Sequence, residues 1–271
     1  MRFSERIGIV PSKQIQIESM DATLKNRLRN YIDRPILQDG ELRKYIVDKL
    51  GIQTMGFQGD YSNIQRKFNN IAEWYYPYEV LEYYIEYNKS SAYITPFSLK
   101  EMYDEINQIL SEEKAGYRLV DGYFVPITNE TELSEIQCAL HSTFDSVDTH
   151  IQKALALYSN RKQPDYENSI KESISAVESM CCIITGLTGG QATLGAALKK
   201  LEDNGVEIHG AMRSAFSQLY GYTSDQNGIR HGGIDFTNAP EEDARYMLVT
   251  CSAFVNYLKD KYAKAQSGGT T

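Results

Sequence analysis

Apolar side chains recur at helical spacing along most of the chain, and YRLVDGYFVPI at 117–127 departs from that pattern. There two short β-prone runs flank Asp121-Gly122, the dipeptide suited to the type I′ turn of a tight hairpin. A chain patterned in this way stacks helices on helices and keeps a small ribbon between two helical blocks. The expected fold is mainly α: a helical N-terminal domain with a short β-hairpin near 117–127, followed by a helical bundle. The expected boundaries are 1–130, 131–266 and a disordered tail at 267–271.

Caps and stops mark the helices. Asp21 precedes ATLKNRLRNYI and Asp39 precedes GELRKYIVDKLG. Each is an acid able to accept first-turn N–H groups, and Gly51 follows the second helix as a left-handed stop. DYSNIQRKFNNIAEWYY carries Ile64, Phe68, Ile71, Trp74 and Tyr75 at helical spacing, and Pro77 restarts the helix for YEVLEYYIEYNK. Thr95-Pro96 opens a helix that Gly116 is expected to close. Before all of these, residues 1–18 read as an extended arm, in which IQIES alternates as a strand would.

Beyond the hairpin, ELSEIQCALHSTFDSVDTHIQKALALYSN reads as one long amphipathic helix, with Ile136, Leu140, Phe144, Val147, Ile151 and Leu155 near a heptad rhythm. RKQPD breaks it. The next helix stops at Gly186, and a short one is capped by Thr193 and ended by Gly205. HGAMRSAFSQLYGYTSD follows. TSDQNGIRHGGIDF reads as a loop or broken helix, because Gly228, Gly232 and Gly233 disfavour helix. PEEDARYMLVTCSAFVNYLKDKYAKA closes the chain, acidic in its first turn and basic in its last, as the helix dipole prefers.

Composition excludes several classes. The 271 residues suffice for two helical cores, and 42% of them are apolar. A net charge of −8 argues against a protein that coats nucleic acid through a basic surface, though not against a local basic pocket. RNYIDR, with Arg27, Arg29 and Arg34, is the better RNA-facing patch, against a solvated helix face. The tyrosine-rich stretch around Trp74, Tyr75, Tyr76 and Tyr78 is read as packing, since Glu73, Glu79, Glu82 and Glu86 accompany it. Cys138, Cys181, Cys182 and Cys251 form no CxxC pair and are read as buried reduced thiols. No metal and no cofactor are expected. No apolar stretch has signal-peptide or membrane-spanning length, so a cytoplasmic protein without membrane contact is expected.

Four histidines remain as candidates for chemistry. His141 and His150 stand nine residues apart on the expected long helix and point away from each other. His231 follows Arg230 in NGIRHGG, where flanking glycines let another group approach the backbone. Imidazole moves protons near neutral pH, and guanidinium grips phosphate, so the pair suits phosphodiester chemistry. A turn in which both side chains are internally paired is the bland alternative. Asp225 and Asn227 could orient His231 or hold Arg230. Glu178 would raise its basicity. Tyr222, like Tyr220, offers a face to a base. Packing and turn roles stay open for each.

The strings YENSIKESISAVES, TLGAALKKLEDNGVEIHGAM and LYGYTSDQNGIRHGG, within about 166–255, resemble the HEPN superfamily, in the form found in AbiJ-like abortive-infection proteins. FSERIGI, IQIESMD and LKNRLRNYI, within 1–30, resemble an N-terminal domain that accompanies such modules. The resemblance implies a HEPN-like four- or five-helix bundle that forms a homodimer, metal-independent RNA cleavage at paired Arg–His sites, and an anti-phage or toxin–antitoxin setting. An antitoxin or a phage-derived trigger would then be a partner. Carried onto this chain, the site pair is Arg230 and His231. The family usually separates its Arg from its His by several residues, whereas here the two are adjacent. Cleavage, RNA binding without cleavage, and a non-catalytic module binding a nucleotide or a partner protein all remain open at this point.

Overall fold

A computed structural model describes residues 13–69, 73–90, 95–140, 142–160, 163–189, 194–224 and 239–268. The chain divides into two compact units, Met1–Thr128 and Asn129–Thr271.

In the first unit α1 (Ala22–Gln38) touches each of the next four helices, α2 (Gly40–Lys49), α3 (Gly56–Asn69), α4 (Tyr76–Ser90) and α5 (Pro96–Glu112). Its stripe of Leu24, Leu28, Ile32 and Ile36, one turn apart, is fully buried. Asp21 Oδ1 accepts the Leu24 N–H (2.8 Å), Asp39 Oδ1 accepts those of Glu41 and Leu42 (2.9 and 3.0 Å), and Thr95 Oγ1 accepts that of Ser98 (3.2 Å). The three caps expected in this unit are therefore made, and the fourth expected cap, Thr193, lies outside the described residues. Gly51, at φ +62°, ends α2 as expected.

The hairpin forms from β1 (Arg118–Val120) and β2 (Tyr123–Val125), in the register Leu119 opposite Phe124. Asp121 and Gly122 both take positive φ (46° and 95°), as a type I′ turn requires. Helix side chains seal its outward-facing backbone groups. Asn107 of α5 accepts the Leu119 N–H (2.7 Å) and donates to its carbonyl (2.8 Å). Glu82 of α4 accepts the Phe124 N–H (3.1 Å). Lys89 Nζ donates to the Asp121 carbonyl (2.7 Å) and pairs with its carboxylate (3.0 Å).

The second unit comprises α6 (Glu130–Ala139), α7 (Asp145–Ser159), α8 (Tyr166–Thr185), α9 (Leu194–Lys200), a 3-10 turn at Glu202–Asn204, α10 (Gly210–Ser224) and α11 (Glu241–Gly268). α8 is central and packs most extensively on α7 and α11. Buried Ser169 Oγ donates across to the Ala154 carbonyl of α7 (2.8 Å). α11 also packs on α6, where Asn256 Nδ2 donates to the Glu135 carbonyl (2.9 Å). α10 is attached lightly. None of its described side chains is fully buried, and Phe216 stacks on Phe254 of α11. Among the described residues no helix is long and apolar enough to cross a membrane.

Several expectations are corrected. The long helix after the hairpin is two, α6 and α7. Asp148 accepts the backbone N–H (2.9 Å) and hydroxyl (2.6 Å) of Ser142, and the Ser142 hydroxyl accepts the Phe144 N–H (3.2 Å), a local set of bonds that competes with helix. IQIES makes one bridge, Gln16 beside Ala115, instead of a strand. Its alternation is inverted: Gln16 is buried, bonding the Glu113 carbonyl (2.8 Å) and the Asp21 N–H (2.6 Å), while Ile15 and Ile17 are exposed. The helix read over DYSNIQRKFNNIAEWYY begins sooner, at Gly56, and Trp74 and Tyr75 lie past its end at Asn69. α11 runs on to Gly268, into the stretch read as a disordered tail.

Gly116 does not stop α5 either. The helix ends at Glu112, and Lys114 takes the left-handed position (φ 53°). Gly116 is instead kept small by the arm lying on it, since a Cβ there would stand 2.7 Å from the Gln16 carbonyl oxygen and 2.9 Å from Ile17 Cγ1. Gly116→Ala should therefore lift the arm and cost about 1–3 kcal/mol, as overpacking does. Gly195→Ala, at an open position on α9, should be neutral or stabilising by up to about 1 kcal/mol. Urea titration of both variants checks the contrast.

Candidate functional site

Arg230, His231, Asp225 and Asn227 lie outside the described residues. The chain on either side of them is defined. Tyr222, in the last turn of α10, donates its hydroxyl to Asp243 Oδ2 of α11 (2.6 Å). This bond ties the two ends between which 225–238 run in sequence. Burial, the hydrogen bond to Asp243 and that residue's charge push the Tyr222 hydroxyl up to about 12, so it acts as a donor and keeps its proton. Tyr222 is 40% exposed.

Glu178 sits in the C-terminal half of α8, next to Cys181 and Cys182. Burial raises both thiols, joined by Cys182 and then Glu178 at Cys181 and by Glu178 at Cys182. The expectation of four buried thiols needs correcting. Cys181 and Cys251 are buried, Cys182 is half-buried and Cys138 is exposed, because α6 turns that residue outward. All four are free.

The described histidines are held by local partners. His150 Nδ1 of α7 pairs with Glu172 Oε2 of α8 (2.6 Å), an inter-helix link that the sequence separation of 22 residues hides. His209 caps α10: its Nδ1 accepts the Ala211 N–H (3.2 Å), so the neutral ring carries its proton on Nε2. His209 also lines an open cleft of about 580 Å³ together with Glu202, Glu207, Ile208, Tyr257 and Lys261. Arg213 pairs with Glu202 at the cleft's edge (3.1 Å). An imidazole donor, an ammonium group and a phenol ring thus share a wall with two carboxylates, an arrangement able to hold a polar, mixed-charge group. Sequence reasoning missed this cleft. Its one local signal was a histidine immediately before the glycine that opens α10.

The RNYIDR patch is not an open cationic face. Arg27 is bound to Glu112 (2.6 Å) and Glu113 (3.0 Å), and Arg29 bonds Asn69 (3.3 Å) and lies 4.0 Å from Asp33. Arg34 is exposed. The tyrosine-rich stretch does pack. Trp74 stacks on Tyr117 (5.9 Å between rings), and Tyr78 meets Phe124 edge-on (4.8 Å). Among the described residues no group of three or more His, Cys, Asp or Glu side chains is disposed to hold a metal ion.

Five helices closed by a sealed hairpin, continuous in sequence with a helical bundle, define a two-unit helical protein whose first unit is a discrete module. The family model described as AbiJ N-terminal domain 4 matches residues 1–142, more than half of the chain. The chain belongs to that family, which makes it an AbiJ-like protein related to abortive infection. The match runs past Thr128 and takes in α6. No curated protein and no solved structure matches the chain.

Thiol chemistry checks the burial pattern. Burial holds the Cys251 thiol up at about 12, so almost no thiolate exists there at neutral pH. Iodoacetamide should alkylate Cys138 first in the native protein. Cys181 and Cys251 should react only after urea unfolding, with the order read by peptide mass spectrometry.

Proposed function

We propose that this chain is an anti-phage effector in which the AbiJ-type module governs a C-terminal HEPN-type, metal-independent endoribonuclease. The observation that carries the proposal is the family match over 1–142, lying ahead of a second helical unit whose sequence holds Arg230 and His231 in a glycine-flanked string. Two copies of the pair would face one another in a homodimer. Arg230 binds the scissile phosphate. His231 takes the proton from the substrate's own 2′-OH as that oxygen attacks phosphorus, and the 5′-oxygen leaves with a proton. The products are a 2′,3′-cyclic phosphate and a 5′-hydroxyl. Asp225 and Asn227 would orient His231, Tyr222 would hold the ends of their segment and present a stacking face, and Glu178 would lend negative charge. RNA is the substrate, the setting is the cytoplasm, and an antitoxin or a phage-derived trigger acts through the N-terminal module.

A second reading is a non-catalytic HEPN module that binds RNA, a nucleotide or a partner protein. Two observations favour it. Arg230 and His231 are adjacent instead of spaced, and the acidic first turn of α11, Glu241, Glu242 and Asp243, follows them in the sequence. Incubation of the full chain with mixed RNA separates the two readings. Cleavage giving cyclic phosphate ends, reduced at least a hundredfold in His231→Ala, is the expected result on the scale of general acid–base catalysis, about 10²–10⁴-fold. Intact RNA that nevertheless co-migrates with the protein supports the binding module. Intact RNA together with unchanged phage resistance in His231→Ala removes the enzyme reading.

A further inference from the structure

The cleft of the second unit is built by two stretches far apart in sequence. After the 3-10 turn Val206 and Ile208 are buried, while Glu207 and His209 between and beside them are exposed. The end of α11 lies against this turn, since a Cβ at Gly205 would stand 3.3 Å from Ala265 Cβ. Tyr257 and Lys261, one turn apart on α11, share the face that meets Glu202, Glu207, Ile208 and His209 around the cleft. Its volume of about 580 Å³ is within the range of small-molecule sites. The Tyr257 ring is backed by Phe254 (5.9 Å between rings), which stacks in turn on Phe216 of α10. Opposite charges line the cleft without meeting. Glu202 is paired with Arg213 (3.1 Å). Glu207 and Lys261 form no ion pair among the described residues, with each other or with another group, and the Lys261 ammonium stands 5.7 Å from the Tyr257 ring. His209 Nδ1 is taken by the Ala211 N–H (3.2 Å), which leaves Nε2–H to donate elsewhere.

We propose that this cleft binds a free α-amino acid, with its carboxylate on Lys261 and the His209 Nε2–H, its ammonium on Glu207, and its side chain against Ile208 and Tyr257. The charge balance selects that class. Lys261 and Arg213 stand against Glu202 and Glu207, so with a neutral imidazole these groups carry no net charge. A phosphate would be repelled by the two carboxylates, and a diamine by the ammonium and guanidinium groups. A ligand that holds both charges close together gives the unpaired acid and the unpaired base a partner each, through charge-assisted hydrogen bonds. Ile208 and the Tyr257 ring add an apolar wall, so amino acids with aromatic or branched apolar side chains bind best. The site uses neither Arg230 nor His231, and it stands or falls independently of any ribonuclease activity.

The test uses the full chain and no RNA. Calorimetric titration with the common L-amino acids should give a dissociation constant of about 1 mM or tighter for phenylalanine or leucine. The N-acetyl and methyl ester derivatives of the same amino acid each remove one charge and should bind at least about tenfold more weakly. Lys261→Ala and Glu207→Gln should each weaken the amino acid by a similar factor, about tenfold or more. Inorganic phosphate should not compete. Amide exchange of the parent with and without phenylalanine locates the site whether or not a variant folds. Added protection over 206–216 and 257–261 supports the proposal, and protection confined to other segments overturns it. It is also overturned if no amino acid binds at about 10 mM, if phosphate binds in preference, or if both folded variants bind as the parent does.

Discussion

A two-stranded ribbon has too few cross-strand bonds to persist in water, so the one in this protein exists because helices finish its hydrogen bonding. Asn107 satisfies both outward groups of Leu119, and Glu82 satisfies the outward N–H of Phe124. These contacts fix α4 and α5 to opposite edges of the same short element. Trp74, Tyr78, Tyr117 and Phe124 then fill the space around it with ring-on-ring contacts. The arm is attached to the same place. Buried Glu113 at the end of α5 is paired with Lys13 and Arg27, and its carbonyl accepts from Gln16. Loss of the ribbon would leave buried acids and amides without partners, which costs more than the bonds themselves contribute.

The second unit is organised differently. Its centre is a helix, α8, whose neighbours α7 and α11 cover apolar and small residues alike, with Ser169 and Ser173 bonding backbone carbonyls instead of one another. Such a core is rigid where helices cross and permissive at its margin. α10 belongs to the margin: it is held by a histidine cap, the Arg213–Glu202 pair, the Phe216 stack and the Tyr222–Asp243 bond. An element attached by a few polar contacts can shift without unfolding the bundle. That property suits a helix leading into a segment proposed to bind and process a substrate.

What was legible in the sequence follows the range of the interactions. Asp21, Asp39 and Thr95 cap helices by bonding N–H groups two or three residues away, so local sequence suffices to find them. Asp121-Gly122 is equally local, because the turn geometry needs only two residues with positive φ. Long-range commitments were not legible. Arg27 looks like a free cation until Glu112 and Glu113, 85 and more residues later, are placed against it. The role of Gly116 depends on an arm from the other end of the unit. The break between α6 and α7 was hidden because apolar spacing carries through Leu140 and Phe144, while the deciding bonds come from polar Ser142 and Asp148. His209 was passed over because capping by imidazole is uncommon beside Ser, Thr, Asp and Asn.

Electrostatics sharpens the functional argument. With a net charge of −8, any grip on a phosphodiester has to be local. Arg27 and Arg213 are neutralised by carboxylates, Arg43 lies over the Phe57 ring with its guanidinium bonded to the Ile36 carbonyl, and Arg118 is buried against backbone carbonyls. These arginines hold the fold together and leave substrate binding to others. Arg230 stands between glycines in a stretch that supplies it no adjacent acid, since its neighbours within two residues are Gly228, Ile229, His231 and Gly232. In the proposed homodimer a second copy would double that charge at one place, which is how an acidic protein can present a cationic site without a basic surface.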